Sequence, residues 1–217
     1  SLRQTVAAAQ RDAAQHWELK SPDGRTSIVL SRQADGHLTY RVLRGRVVVL
    51  DESPLGVRRS DQLFDDGLTF TRATDAASES ETYETPYGKR RNHVVHGRER
   101  VVSFTNRSGR RMDLILRAHD DGVAFRYRFP EIDTIAKSVT EELTGFAVPA
   151  GSTAWIQPQQ PVGQYAPAYE DLYREMPSGT EAPQADGWAF PALFKTSAGP
   201  WALITESCMD SNYCGSH

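Results

Sequence analysis

One stretch constrains the fold more than any other: Arg111–Phe129, RMDLILRAHDDGVAFRYRF. Met112, Leu114, Leu116 and Ala118 alternate with Asp113, Ile115, Arg117 and His119, the two-residue period of a strand with one buried face. After Asp120-Asp121-Gly122, the residues Val123, Phe125, Tyr127 and Phe129 alternate with Ala124, Arg126 and Arg128. Asp-Gly supplies a positive-φ position for a tight turn, so an antiparallel hairpin is predicted here. A slip of one residue in either strand would bury arginines, which fixes the register. A lone hairpin is marginal in water, so further strands must cover its apolar face. The hairpin is therefore expected at the middle of a larger antiparallel structure.

The flanking sequence continues the pattern. Ser21-Pro22-Asp23-Gly24 is a turn signal, followed by strands at Thr26–Ser31, His37–Leu43 and Val47–Leu50 separated by Ala34-Asp35-Gly36 and Arg44-Gly45-Arg46. Ser53-Pro54-Leu55-Gly56-Val57 breaks that meander, and Asp61–Gly67 reads as a loop. Leu68–Thr71, Glu79–Thr85, Asn92–Asn106, Val139–Leu143, Gly145–Val148 and Thr153–Ile156 are further strands, and Ala192–Ser197 with Trp201–Thr205 forms a closing hairpin. Leu2–His16 is Ala- and Gln-rich without a sustained apolar stripe, which fits a helix or a frayed terminus. Gln157–Pro191 carries six prolines along with Tyr165, Tyr169, Tyr173 and Trp188. Those aromatics either stack on sugar rings or pin a long loop to the sheet. A dozen or more short strands exceed a seven-stranded sandwich, so the fold class is all-β, a large two-sheet antiparallel sandwich.

The totals exclude several classes. At 39% hydrophobic and 24% charged residues the chain is globular rather than disordered. A net charge of −3 with scattered cations argues against nucleic acid as a partner. No apolar run reaches the roughly 18 residues of a membrane helix, and no signal peptide is visible. No G-x-G-x-x-G, phosphate loop, H-E-x-x-H or G-x-S-x-G occurs. Cys208 and Cys214 fit two free thiols or one small disulfide loop and are too few for a zinc site. The chain closes on Tyr213-Cys214-Gly215-Ser216-His217 without a cap signal, as expected of a cut fragment.

Candidate chemistry is sparse. His93 and His96 are three apart, on opposite faces of a strand, and make poor co-ligands. Asp65-Asp66 and Asp120-Asp121 lack the alternating acidic calcium loop and read as turns. The most suggestive stretch is Trp201–His217, WALITESCMDSNYCGSH, where an apolar strand runs directly into Glu206, with Asp210 and Tyr213 behind it. A carboxylate there suits a hard-cation ligand, a substrate contact or an ordinary strand-end acid.

Five short motifs occur in order: Ser21-Pro22-Asp23-Gly24; Ser53-Pro54-Leu55-Gly56; Arg91-Asn92-His93; Asp120-Asp121-Gly122-Val123-Ala124-Phe125-Arg126-Tyr127; and Leu203-Ile204-Thr205-Glu206. From about Trp17 onward the chain resembles the N-terminal domain of glycoside hydrolase family 97. The resemblance implies a β-supersandwich of galactose mutarotase-like fold, residues 17–217 after an extension at 1–16. It implies a catalytic (β/α)8 barrel beyond this chain, which would carry the catalytic carboxylates, so none is expected in residues 1–217. It further implies a calcium-dependent, exo-acting α-glucosidase or α-galactosidase of the periplasm or exterior, acting on an α-linked oligosaccharide or glycoside. Glu206 occupies the position from which the family's domain lends one calcium ligand; Asp210 and Tyr213 follow as substrate-proximal candidates. Cys208 and Cys214 depart from the family pattern and leave the shape of that loop open. The fragment alone is expected to bind calcium weakly and to be inactive. Two rival readings are a free-standing carbohydrate-binding module using the aromatics of Tyr165–Trp188, and an aldose mutarotase using the interior histidines.

Overall fold

The computed structural model describes residues 14–161, 163 and 171–207. Among these, sixteen strands occur and no helix. The chain divides into two compact units, residues 1–147 and 148–217.

The first unit opens on the predicted meander: β1 (Gln15–Lys20), β2 (Thr26–Arg32), β3 (Leu38–Arg44) and β4 (Val47–Leu55), in that order in one antiparallel sheet. A second sheet runs β11 (Gly122–Arg128), β10 (Arg111–His119), β9 (Asn92–Thr105) and β7 (Thr69–Ala73), with β8 (Ala77–Glu84) also paired to β9. The two sheets face each other through aromatic contacts. Trp17 of β1 lies 4.9 Å from Phe70 and 5.6 Å from Phe104, and Tyr40 of β3 lies 5.0 Å from Phe125, measured between ring centroids. Between them Leu19, Ile28, Leu30, Val102, Met112, Leu114 and Leu116 are buried. A small third sheet joins β12 (Val139–Glu142), β5 (Val57–Arg59) and β6 (Leu63–Phe64).

The central hairpin forms as expected, with Leu114 opposite Tyr127 and Leu116 opposite Phe125. Two details differ. The turn is Asp120-Asp121 alone, because Gly122 already pairs with His119 and is not among the positive-φ glycines. The turn is fastened from outside instead: Asp120 Oδ1 accepts from the Asp23 amide at 2.9 Å, and its carbonyl accepts from Thr26 and Arg44. The second difference is that the hairpin's other face is not open, since Asp113 and Ile115 are also buried. Arginine side chains from Arg111 and Arg128 fold over Asp113 and cover it.

Pro54 does not end its strand. It pairs with Thr39 inside β4, tolerated because β4 is an edge strand whose Pro54 needs no amide donor. Residues 145–148 form no strand, yet they run beside that edge: the Gly145 amide donates to Pro54 O and the Asp51 amide to Ala147 O. The loop expected at Asp61–Gly67 contains the two-residue β6.

The second unit is one sheet in the order β14 (Arg174–Pro177), β13 (Thr153–Pro158), β15 (Trp188–Lys195) and β16 (Trp201–Ile204). Two of its strands thus arise within the stretch 157–191 read as irregular. Ala154, Ile156 and Ala192 form its core, packed by Met176, Trp188, Phe190 and Phe194. Most of the expected helix at Leu2–His16 lies outside the described residues, while Gln15 and His16 belong to β1.

Candidate functional site

Glu206 sits where the sequence placed it, two residues beyond the buried end of β16 at Ile204. Its residue is half-buried, and the Thr205 hydroxyl lies 3.4 Å from the Glu206 carbonyl oxygen. The local reason is simple: Trp201–Ile204 pairs with β15 along its whole length, and the chain leaves the sheet at Thr205. A carboxylate is a hard oxygen donor and suits calcium. It can meet only part of the ion's demand for about six to eight oxygens. Among the described residues, no cluster of three His, Cys, Asp or Glu side chains gathers into a metal cage. Asp210 and Tyr213, and with them Cys208 and Cys214, lie outside the described residues.

The other candidates have structural partners. His93 stacks on Tyr83 at 4.7 Å and bonds to Thr85 Oγ1 and the Arg90 carbonyl. His37 lies 2.9 Å from Asp35, and His119 Nδ1 lies 3.1 Å from the His96 carbonyl. Asp65 pairs with Arg58 and Asp66 with Arg107 in the bend after β6, and Asp120-Asp121 form the turn between β10 and β11. Trp188 donates its indole N–H to the Thr180 carbonyl at 3.0 Å and packs into the core, pinning its loop. Tyr165 and Tyr169 fall outside the described residues.

Three of the five motifs fasten the first unit together. Ser21 Oγ donates to Asp23 at 2.6 Å, and Asp23 reaches the Asp120 turn. Ser53 Oγ donates to the Asp51 carbonyl and accepts from the Ala147 amide. The Gly56 amide donates to Tyr127 Oη at 3.0 Å, so the second and fourth motifs meet directly. Burial pushes the Tyr127 phenol up, and it stays a neutral hydrogen-bonding group.

Two features went unnoticed in the sequence. Arg59 is almost fully buried, with Asp61 and Glu131 on its guanidinium and the rings of Phe64 and Phe129 against it. Beside it opens a polar cavity of about 530 Å³, lined among others by Gln62, Asp66, Asn106 and Arg107. Its groups bond mainly to one another, as Asn106 Nδ2 does to Gln62 and the Leu63 carbonyl. The second feature is on the second unit's sheet, where the Trp155 and Trp201 rings meet tilted at 5.1 Å and Lys195 Nζ lies 5.8 Å from the Trp201 ring. Both strands were expected from the sequence, but not which face would stay open.

Comparison with known proteins gives a consistent result. Residues 19–217 match the family model described as glycosyl-hydrolase 97 N-terminal. A relative from Streptomyces bingchenggensis, described as a probable retaining alpha-galactosidase, is 34% identical over 200 residues, covering 91% of this chain and 29% of the relative. The crystal structure of a beta-arabinopyranosidase superposes with a TM-score of 0.85 at 29% identity, over 93% of this chain and 33% of that one. A glycoside hydrolase family 97 enzyme from Pseudoalteromonas sp., solved with panose, superposes at 0.69 with 25% identity, over 83% of this chain and 27% of that one. The chain thus spans about a third of the length of these relatives.

Proposed function

The chain belongs to the glycosyl-hydrolase 97 N-terminal family, and from that premise we propose that it is the non-catalytic β-sandwich domain of a larger, calcium-dependent, exo-acting α-glycosidase. The observation that carries this reading is the family match over residues 19–217, which takes in β16 and Glu206 two residues beyond it. In this proposal the domain buttresses a catalytic barrel supplied by the rest of the polypeptide and lends it one calcium ligand. The substrate is an α-linked glucoside or galactoside, and the site of action is the periplasm or exterior.

The domain's part in the chemistry is positional. β16 is hydrogen-bonded to β15 as far as Ile204, two residues before Glu206, so the carboxylate follows closely on a held strand end. Calcium, when bound, would supply positive charge to orient a carboxylate or sugar hydroxyls near the reacting bond. Glu206 would supply one of its oxygens. Asp210 and Tyr213, outside the described residues, are proposed as substrate-proximal.

The test is an assay of the full-length protein on p-nitrophenyl α-glucoside and α-galactoside, with calcium and with chelator, alongside residues 1–217. Hydrolysis by the full-length protein alone, abolished by chelation, is the expected outcome. A full-length protein inactive on both, with sugar binding or anomer interconversion by residues 1–217, would overturn it.

A further inference from the structure

Among the described residues, the sheet of the second unit buries one face in the Ala154–Ile156–Ala192 core and displays hydrophobic groups on the other. Strand register builds that display row by row. Trp155 opposes Leu193, which opposes Leu203; one step along, Thr153 opposes Lys195, which opposes Trp201. Alternate residues share a face, so Trp155, Leu193, Leu203, Lys195 and Trp201 all point the same way. Trp201 remains 56% exposed and Leu203 62% exposed, both on β16, the edge strand of the sheet. An apolar edge strand left open invites uncontrolled pairing, and natural proteins cover or charge such edges. Among the described residues the charges on these rows are Glu175, opposite Trp155 on the far edge strand β14, and Lys195, which lies over the Trp201 ring, so β16 itself carries none.

We propose that this face, centred on Trp155, Leu203 and Trp201, is the surface on which the C-terminal remainder of the same polypeptide packs. The proposal rests on the reading of the chain as one part of a larger glycosidase. Two observations select this occupant. The family is defined as the N-terminal part of a hydrolase, and the relatives carry about twice as much further polypeptide as this chain spans. The tryptophans, meanwhile, are poorly arranged as a sugar platform, because Trp155 and Lys195 already lie against the Trp201 ring. Packing on this face would also fix β16 from the side, and with it the strand end from which Glu206 emerges.

The test is hydroxyl-radical footprinting of Trp201 and Leu203 in the full-length protein and in residues 1–217, without calcium or substrate. The expected result is labelling slowed at least about tenfold in the full-length protein, as at a packed interface core. A full-length Leu203→Lys variant should regain fast labelling at Trp201 while buried Leu114 stays protected. Equal labelling in the two proteins, or protection already present in residues 1–217, overturns the proposal. Protection that grows with concentration, together with a dimer on sedimentation, assigns the face to a second copy and also overturns it. Because the readout needs no turnover, an inactive full-length protein with a protected face would sink the glycosidase reading and leave the docking surface standing.

Discussion

Asp113 carries a carboxylate into a position with 0% side-chain exposure and is kept charged there by its neighbours. Burial by itself would raise its pKa; hydrogen bonds from Ser103, Arg111 and Arg128 outweigh that and hold it below the ordinary 3.8. The sign follows: its contribution to stability is complete above pH 3.8 and is lost as pH falls through the lowered folded-state value. Asp113→Ala should cost about 2 kcal/mol, less than a fully enclosed pair because both arginines reach water. Urea unfolding at neutral pH measures the loss. The same titration repeated at acid pH should show a shallower pH dependence for the variant than for the wild type. Leu114, buried on the opposite face of β10, has no such compensation, and Leu114→Ala should cost about 3–4 kcal/mol by the same method. Apolar alternation made Leu114 legible at once. Asp113 was read as solvent-facing, because nothing in a strand's period says that two arginines will fold over it.

At the scale of elements, turns are set by backbone geometry and by what packs against them. Gly36 closes the β2–β3 hairpin at φ 88°, and a Cβ there would meet Leu68 N at 2.4 Å. The neighbouring segment also bonds directly to the turn, the Gly67 amide donating to Asp35 O at 3.0 Å. Gly36→Ala should therefore lower stability by about 1–3 kcal/mol, detected as an earlier urea midpoint with an unchanged slope. Gly36 and Gly45 were readable as turn formers because local chemistry decides them. Gly122 was misread, since its turn is held by Asp23, Thr26 and Arg44 from elements far away in sequence. Pro54 was misread for a related reason. Whether a proline ends a strand depends on whether that strand lies at an edge, and edge status is a property of the assembled sheet.

For the whole molecule, strand spacing and five ordered motifs were enough to read both the all-β class and the family. The motifs were legible as markers, but their physical role was not: the Ser21, Ser53 and Asp120 segments are fastenings between strands rather than chemistry. The strand-end position of Glu206 was visible because an apolar run stops there. The calcium role proposed for it rests on the family resemblance, since the described residues assemble no cage around it. The most direct measurement is a calcium titration by calorimetry of full-length wild type and Glu206→Gln, with hydrolysis of the preferred α-glycoside followed in parallel. Loss of one charged oxygen ligand should weaken calcium binding by about tenfold or more, with turnover restored at raised calcium. Unchanged calcium affinity and unchanged turnover in Glu206→Gln would contradict the proposal that this domain completes the metal site.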